Sequence, residues 1–193
     1  VFVFGLSLGS LYLVNLFFMK PASIDQYFGQ EVITGLIDSP EAMTYMGMFD
    51  SFNWLTKHNS RLSIPEHNDL QEGINDARKS LKILNKYKES SLTNNQKITK
   101  RIAIFDIENV LKELEEFPYH DYPLNQVRGI HHSIISFMSD MHPVRNLSEA
   151  KDFIKRTDLA KEVYSGVLDG LERQAAAGIY APEFVYAHVI EQL

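Results

Sequence analysis

Residues 92–117, LTNNQKITKRIAIFDIENVLKELEEF, predict a long α-helix and with it a helical fold. Thr93 and Gln96 have the spacing of a capping box, in which each side chain accepts a hydrogen bond from the backbone N–H of the other residue. Apolar residues then recur at helical spacing, and Pro118 ends the helix. The positions expected to face inward are Ile98, Ile102, Phe105, Leu111 and Leu114.

A second long helix is predicted immediately before this one. Ser63 and Glu66 have the same capping-box spacing, and the helix that they open runs to about Lys88. Because only a short polar turn joins the two helices, we expect a long antiparallel helix hairpin. The positions expected to face inward are Leu70, Ile74, Ala77, Leu81 and Leu84.

Shorter helices are predicted on both sides of the hairpin. Ser39 caps a helix that Pro40 and Glu41 begin and that ends at Gly47. Further helices are expected over residues 129–139, after a cap at Asn146 or Ser148, up to Gly178, and from Pro182 onward. No strand-period run longer than a few residues appears, so the fold class is all-α.

Residues 1–19, VFVFGLSLGSLYLVNLFFM, contain no charged residue. As a helix they would rise about 28 Å, close to the hydrocarbon thickness of a bilayer. A transmembrane anchor, a cleaved signal peptide and a buried helix all remain open. The length of the run and the lack of an A-x-A pattern favour the anchor. We therefore expect a transmembrane helix over residues 1–20, in contact with the lipid bilayer, and an all-helical bundle domain over residues 21–193.

Composition excludes several classes of function. The formal net charge is −6 and the pI is about 5.6, whereas nucleic-acid binding needs a basic patch, so no nucleic acid is expected as a partner. Cysteine is absent, which excludes disulfides, thiolate nucleophiles and zinc–thiolate sites. The first residue is Val1 rather than Met, so we expect the chain to begin inside a longer precursor.

The seven histidines do not have the spacing of a zinc site. Helical zinc sites place two ligands one turn apart, as in H-E-x-x-H, whereas no histidine here has another three or four residues away. His131 and His132 are adjacent, and adjacent helical side chains diverge by about 100°. The sequence therefore predicts no catalytic residue, metal ligand or cofactor ligand in this chain.

Four residues are candidates for lining a cleft or fixing a loop: Tyr122, Asn125, Gln126 and His142. The amides of Asn125 and Gln126 could hold a substrate backbone, but loop fixing is the favoured interpretation. Tyr122 is expected to pack with its hydroxyl at the surface. His142 precedes a proline at a helix end, where it either satisfies terminal carbonyls or faces a catalytic half of a larger protein.

An ordered series of short motifs carries a resemblance to a known family. The series comprises Tyr122-Pro123-Leu124-Asn125-Gln126, then Met141-His142-Pro143, then the step from Gly178 to Pro182. From about Ile24 to Leu193 the chain resembles the bacterial domain-of-unknown-function family 885. The resemblance implies a largely helical, gluzincin-like zinc metallopeptidase. It also implies a zinc motif of the form H-E-x-x-P-G-H downstream of this region, so that zinc is expected only in a longer parent protein, and export to the periplasm or another extracytoplasmic compartment.

Two functions follow as expectations. In the first, the chain is the non-catalytic, membrane-anchored N-terminal segment of a zinc-metallopeptidase-like protein and works with a C-terminal catalytic part. In the second, it is a non-enzymatic accessory or scaffold subunit of a membrane protein complex. A helical binding domain released from a signal peptide is the third interpretation.

Overall fold

The computed structural model describes residues 21–192, and residues 1–20 and 193 lie outside the described part. Helices and turns, without a strand, make up the regular structure of the described residues, which confirms the all-α prediction. The α-helices are α1 (Ile24–Asp38), α2 (Pro40–Met46), α3 (Asn53–Thr56), α4 (Asp69–Leu84), α5 (Asn94–Glu116), α6 (Ile130–Ser136), α7 (Leu147–Asp158), α8 (Ala160–Ala176) and α9 (Glu183–Gln192). Short 3-10 turns lie at Asp50–Phe52, His58–Ser60 and Glu89–Ser91, and a π-helical turn lies at Phe137–Met141.

The predicted transmembrane helix, and the membrane localisation that followed from it, are corrected. Between residues 21 and 192, no helix is both long enough and apolar enough to cross a membrane. Helix α5 has 23 residues, but charged side chains such as Lys100, Asp106 and Lys112 occur along its whole length. The expected anchor over residues 1–20 lies outside the described residues. The fold class is therefore all-α, without a membrane span in the described part of the chain.

The described residues form two compact units. Unit 1 contains residues 21–35 and 70–116, and unit 2 contains residues 36–69 and 117–192. Unit 1 therefore includes α5 and most of α1 and α4, and unit 2 includes α2, α3 and α6 to α9.

The core of unit 1 is apolar and lies between α1 and the end of α4. Its buried residues are Ile24, Tyr27, Leu84 and Tyr87. The Tyr87 hydroxyl donates a hydrogen bond to the carbonyl of Pro21 at 2.8 Å. Burial raises the pKa of Tyr87 to about 12, and the neighbouring Tyr27 adds to the shift. Partly buried apolar side chains complete this core: Phe28, Ile83, Leu92, Ala103, Ile104 and Ile107.

Contacts between α4 and α5 confirm the antiparallel hairpin. Near the start of α4, a Cβ atom added to Gly73 would lie 3.4 Å from a methyl carbon of Leu114, close to the end of α5. Beyond the end of α4, the carbonyl of Tyr87 accepts a hydrogen bond at 2.8 Å from the ammonium of Lys100, in the first half of α5. The two helices therefore run in opposite directions.

The predicted inward face of α5 is wrong in its first half. Ile98, Ile102 and Phe105 are exposed, and 64% of the Phe105 surface is accessible. The residues that do face the core have the i, i+3, i+4, i+7 spacing of one helix face, and they are Lys100, Ala103, Ile104 and Ile107. A lysine occupies the first of these positions because its ammonium is paired with a buried carbonyl, a contact that apolar periodicity does not reveal.

Most of the predicted helix ends are confirmed. The side chain of Ser39 accepts from the N–H of Ala42, and Asn146 accepts from the N–H of Glu149. Thr93 and Gln96 form the reciprocal capping box. At the end of α8, the N–H of Ile179 donates to the carbonyl of Gln174, and Gly178 adopts the left-handed conformation (φ 73°), which glycine accommodates without strain.

The predicted capping box at Ser63 is wrong. Helix α4 begins at Asp69, and the backbone N–H and the hydroxyl of Ser63 both donate to the carboxylate of Glu41 at 2.7 Å. The N–H of Glu66 donates instead to the carboxylate of Asp69. Because Ser63 donates to Glu41, 22 residues earlier in the sequence, it does not cap α4.

Unit 2 has a small apolar core that Val163, Val167, Val185 and Val189 of α8 and α9 help to form. Helix α8 approaches the backbone of an irregular segment at Gly166, where an added Cβ would overlap the carbonyl oxygen of Pro65. Helix α7 packs against the 3-10 turn His58–Ser60, and α2 packs against both this turn and the π-helical turn. These contacts position the two sites described next.

Candidate functional site

A fully buried arginine, Arg156 of α7, lies at the centre of a polar cluster in unit 2. Its Nε–H donates to the carbonyl of Arg61 at 2.8 Å, and its second terminal nitrogen donates to the hydroxyl of Thr44 at 2.9 Å and to the carbonyl of His58. Its first terminal nitrogen contacts Nδ1 of His142 at 2.9 Å. We call these five residues the Arg156 cluster.

The geometry fixes the tautomer of His142. A guanidinium group has no acceptor, so the Arg156 N–H donates and His142 Nδ1 accepts with its lone pair. The proton of the neutral ring is therefore on Nε2, which donates to the carbonyl of Glu149 at 3.4 Å. The ring also packs edge-on against Phe153, with the ring centroids 5.2 Å apart. His142 is thus a buried acceptor for a cation.

Burial governs the pKa values in this cluster. It lowers the pKa of His142, and the charge of Arg156 lowers it further, while the Glu149 carbonyl and the carboxylates of Asp152 and Glu149 oppose this shift. Burial also lowers the pKa of Arg156 to about 10, against the opposing charges of Glu41 and Asp152. At neutral pH the arginine is therefore charged and the histidine is neutral.

A second buried histidine, His58, lies beside the cluster. Its Nδ1 is 2.7 Å from the hydroxyl of Thr56, and its Nε2 is 3.6 Å from the carboxylate of Asp50. Within the described residues, His58 Nε2 and Asp50 Oδ1 are buried without a hydrogen-bond partner. Burial lowers the pKa of His58, while Asp50 opposes this shift.

Asp50 and the residues around it extend the polar network to the surface. The other carboxylate oxygen of Asp50 accepts from Arg145 at 2.8 Å, and Arg145 also pairs with Glu149. The side chain of Asn53 donates to Asp152 at 2.9 Å and accepts from the N–H of Asn59 at 3.1 Å. These contacts join the segment between α2 and α4 to α7.

The chemistry of the Arg156 cluster is that of a structural clamp. Arg156 is 0% exposed, and its donors are directed at carbonyl, hydroxyl and imidazole acceptors of the protein itself. The guanidinium lies 5.0 Å from the centre of the Phe137 ring, which adds a cation–π contact. The cluster therefore holds segments of unit 2 together and does not present a reactive group to a substrate.

A loop at residues 119–126 holds the other candidate residues. The side-chain N–H of Asn125 donates to the carbonyl of Tyr122 at 3.0 Å. Its side-chain oxygen accepts from the N–H groups of Val127 at 3.0 Å and Arg128 at 2.7 Å. Gln126 contributes its backbone carbonyl, which accepts from Gln192 at 3.3 Å. The amide of Asn125 is thus occupied in fixing the loop.

Gln174 of α8 holds the beginning of this loop. Its side-chain N–H group donates to the carbonyl of Tyr119 at 2.7 Å and to that of Asp121. Tyr119 has a positive φ of 68°, a backbone conformation that residues other than glycine rarely adopt. Two carbonyl contacts from one buried glutamine therefore fix a strained turn next to Tyr122.

A pocket of about 180 Å³ opens beside Tyr122, and we call it the Tyr122 pocket. Its lining is mainly apolar, with three tyrosine rings among the aliphatic side chains. The Tyr180 hydroxyl donates to the carbonyl of Ala175, and the Tyr186 hydroxyl accepts from the N–H of Ala181. The walls come from the loop, the end of α8, the following turn and α9, including Tyr122, Leu171, Gln174, Ile179, Val185 and Val189.

The structure brings three of the four predicted residues together. Tyr122, Asn125 and Gln126 share one loop, and Tyr122 also lines the pocket. His142 belongs to the Arg156 cluster, where its partners are Arg156, Glu149 and Phe153. Sequence reasoning missed Arg156, because a charged side chain gives no apolar-periodicity signal and its partners lie 14 to 112 residues away in the sequence.

No zinc site can be assembled from the described residues. Between residues 21 and 192, no group of three or more His, Cys, Asp or Glu side chains could hold a metal ion. The donor sets present there do not fit a catalytic zinc, which needs three protein ligands.

Comparison with known proteins gives a family. No curated protein and no solved structure matches the chain. Residues 40–193 match the family described as "Bacterial protein of unknown function (DUF885)", and the matched region covers most of the chain, including the Arg156 cluster and the Tyr122 pocket. The chain belongs to the DUF885 family.

Proposed function

We propose that the chain is a non-catalytic helical part of a zinc-metallopeptidase-like protein, in which the Tyr122 pocket receives an apolar side chain of a peptide. The single observation that supports this most is an apolar, aromatic-lined pocket built within the residues that match the family. The resemblance to gluzincin-like peptidases supplies the peptide as substrate class. The zinc ligands of such a protein would come from outside residues 21–192.

Size and polarity support an apolar side chain as the occupant. A buried cavity of roughly 150 Å³ lined by aliphatic and aromatic groups accepts benzene, and the Tyr122 pocket has a volume of about 180 Å³. The hydroxyls of Tyr180 and Tyr186 are engaged with backbone groups, so their rings contribute apolar surface. A phenylalanine or leucine side chain suits such a pocket.

The loop geometry supports a preformed pocket. Asn125 fixes the backbone after Tyr122, and Gln174 fixes the backbone before it. A wall held by hydrogen bonds on both sides costs little ordering entropy when a ligand binds.

Binding of a small probe tests the pocket. We expect N-acetyl-phenylalanine amide to shift the NMR methyl signals of Val185 and Val189, and N-acetyl-alanine amide to bind at least about tenfold more weakly, because it buries less apolar surface. Ala175→Leu extends into the pocket from its wall and should weaken phenylalanine binding about tenfold.

Ala176→Leu is the matched control, since Ala176 is the neighbouring exposed residue of α8 and does not line the pocket. Equal binding of the two probes, or equal effects of the two leucine variants, would overturn the assignment of the pocket.

Metal content and hydrolysis test the non-catalytic role. We expect the 193-residue chain to hold no stoichiometric zinc and to leave fluorogenic peptides intact. The natural polypeptide that contains it should bind zinc and lose its peptidase activity to a chelator. One zinc per 193-residue chain with chelator-sensitive hydrolysis would contradict the non-catalytic role. A natural polypeptide without zinc and without hydrolysis would contradict the peptidase-like parent.

A different observation favours a second candidate, a non-enzymatic scaffold subunit. Large apolar side chains are exposed close together in sequence from the end of α2 through α3, and Trp54 is 74% exposed. Such exposed patches often mark protein–protein contacts. The exposed side chains of this segment are Tyr45, Met46, Met48, Phe52, Trp54 and Leu55.

Tryptophan fluorescence distinguishes this scaffold role, because Trp54 is the only tryptophan of the chain. Addition of a purified partner that lacks tryptophan should shift the Trp54 emission to the blue. Tyr45→Ser should weaken this binding, and Tyr164→Ser, at an exposed tyrosine outside both this segment and the Tyr122 pocket, should not. An unchanged emission upon complex formation would exclude this segment as the contact.

A further inference from the structure

We infer that the contact between Arg156 and His142 is an acid-sensitive switch, in which protonation of His142 loosens the attachment of residues 44–61 to α7. This inference concerns a regulatory device and does not rest on the proposed function. It follows from the direction of one hydrogen bond inside the Arg156 cluster.

The closed state requires a neutral imidazole. His142 Nδ1 accepts the Arg156 N–H at 2.9 Å, and both residues are buried. A proton on Nδ1 would place an N–H group against an N–H group and a second positive charge beside a guanidinium. Water cannot screen this repulsion in a buried site. His142 and Arg156 therefore have to separate when the imidazole takes up a proton.

Separation at this point affects a defined part of unit 2. The same guanidinium holds Thr44, the carbonyl of His58 and the carbonyl of Arg61. These three partners lie 95 to 112 residues from Arg156 in the sequence. A displaced arginine consequently removes three contacts of residues 44–61 with α7. The Asn53–Asp152 hydrogen bond and the Asp50–Arg145 ion pair then remain to hold this segment, so it opens more easily.

Charged groups from every neighbouring element act on the switch. On α7, the carboxylates of Glu149 and Asp152 favour protonation of His142, and Arg156 opposes it. On α2, Glu41 favours the charged form of Arg156. In the 3-10 turn, Nε2 of the second buried histidine, His58, lies 3.6 Å from the carboxylate of Asp50. Asp50 and Glu149 are in turn neutralised by Arg145.

The direction of the pH effect follows from linkage. An exposed histidine has a pKa of about 6.5, and burial lowers the pKa of both His142 and His58 in the closed state. Below pH 6.5 the open state therefore binds protons that the closed state excludes. The closed state is fully stable above this pH, and it loses stability as the pH falls towards the lowered pKa values.

Hydrogen exchange of the 193-residue chain at pH 7 and pH 5, corrected for intrinsic exchange rates, measures this opening. We expect the opening equilibrium constant of peptides from residues 44–61 and 147–158 to rise at pH 5 by up to about 25-fold for each of the two histidines. Peptides from α5 in unit 1 contain no histidine and serve as the internal reference.

His142→Asn separates His142 from other acid-sensitive groups. An asparagine side-chain oxygen accepts from Arg156 but does not titrate in this range, so the variant should remain closed at pH 7. Between pH 7 and pH 5, the logarithm of its opening equilibrium constant should rise by at most about half as much as in the wild type. His67→Asn, at an exposed histidine in a turn, should behave as the wild type.

Equal opening of the wild type at both pH values would overturn the inference, and so would an unchanged pH effect in His142→Asn. If His142→Asn does not fold, the imidazole ¹⁵N titration of His142 in the wild type decides instead. A midpoint below 6.5 supports the switch, and a midpoint at or above 6.5 overturns it.

Discussion

Each unit buries a cation, and the two cations are held in different ways. In unit 1, the ammonium of Lys100 donates to one carbonyl, that of Tyr87, only 13 residues away. In unit 2, the guanidinium of Arg156 contacts four acceptors, and three of these belong to residues at least 95 positions away. Unit 1 is thus organised mainly by an apolar core and local helix signals, and unit 2 depends on a long-range polar cluster.

The largest effect is expected from Arg156→Met. Methionine fills part of the volume, but it leaves the Arg61 carbonyl and His142 Nδ1 without a donor. The His58 carbonyl keeps the N–H of Arg61, and the Thr44 hydroxyl keeps its contacts with Pro40 and Asn59. Each buried polar group left unpaired costs about 1–3 kcal/mol, so the free energy of unfolding of unit 2 should fall by about 3–5 kcal/mol. Urea unfolding, followed by hydrogen exchange within each unit, measures it.

Arg128→Met is the matched control, because Arg128 is exposed in the same unit. We expect its effect to stay within about 0.5 kcal/mol. A loss of similar size in the two variants would contradict the role given to Arg156 and remove the contrast between the units.

A backbone contact in unit 2 gives the next largest effect. In Gly166→Ala, the new methyl group overlaps the carbonyl oxygen of Pro65, and the resulting shift of α8 should cost about 1–3 kcal/mol. In Gly170→Ala on the same helix, the nearest atom is 3.8 Å away, so the gain in helix propensity of up to about 1 kcal/mol should dominate. Melting temperatures that shift in the same direction would contradict this reading of α8.

A smaller effect is expected in the core of unit 1. Tyr87→Phe removes the hydroxyl that donates to the buried carbonyl of Pro21 and should cost about 1–2 kcal/mol. Tyr45→Phe, at a tyrosine that is mostly exposed, should change the free energy of unfolding by less than about 0.5 kcal/mol. If both variants unfold at the wild-type urea concentration, the Tyr87 hydroxyl does not stabilise unit 1.

The smallest effect tests the local signals of unit 1. Thr93→Ala breaks the capping box at the start of α5 and should cost about 1 kcal/mol. Thr99→Ala lies inside the same helix, where alanine has the higher helix propensity, and should be neutral or slightly stabilising. Circular dichroism during thermal unfolding compares them, and a costlier Thr99→Ala would reverse the assignment of the cap.

Local chemistry was predictable from the sequence. The caps at Ser39, Thr93 and Asn146 and the left-handed Gly178 each depend on residues three to five positions apart, so their patterns are visible in the chain. The apolar stripe of α4 was predictable for the same reason, because its residues recur at helical spacing within a single helix.

Contacts over long distances were not predictable. Ser63 has a capping-box pattern but donates to Glu41. The face of α5 that contains Lys100 is directed towards the core, because the Lys100 ammonium donates to the carbonyl of Tyr87. In the candidate site, the loop-fixing amide of Asn125 follows from local spacing. The burial of Arg156 and the pairing of Gln174 with residues 53 and 55 positions earlier do not.

The protonation state of His142 tests the account of unit 2 most directly. Long-range ¹H–¹⁵N NMR of the imidazoles in the 193-residue chain at pH 7 distinguishes the two neutral tautomers and the cation. The Arg156 contact predicts a neutral His142 with its proton on Nε2 and an unprotonated Nδ1. A proton on Nδ1, in either the other tautomer or the imidazolium, would contradict the central claim that a neutral histidine accepts from the buried arginine.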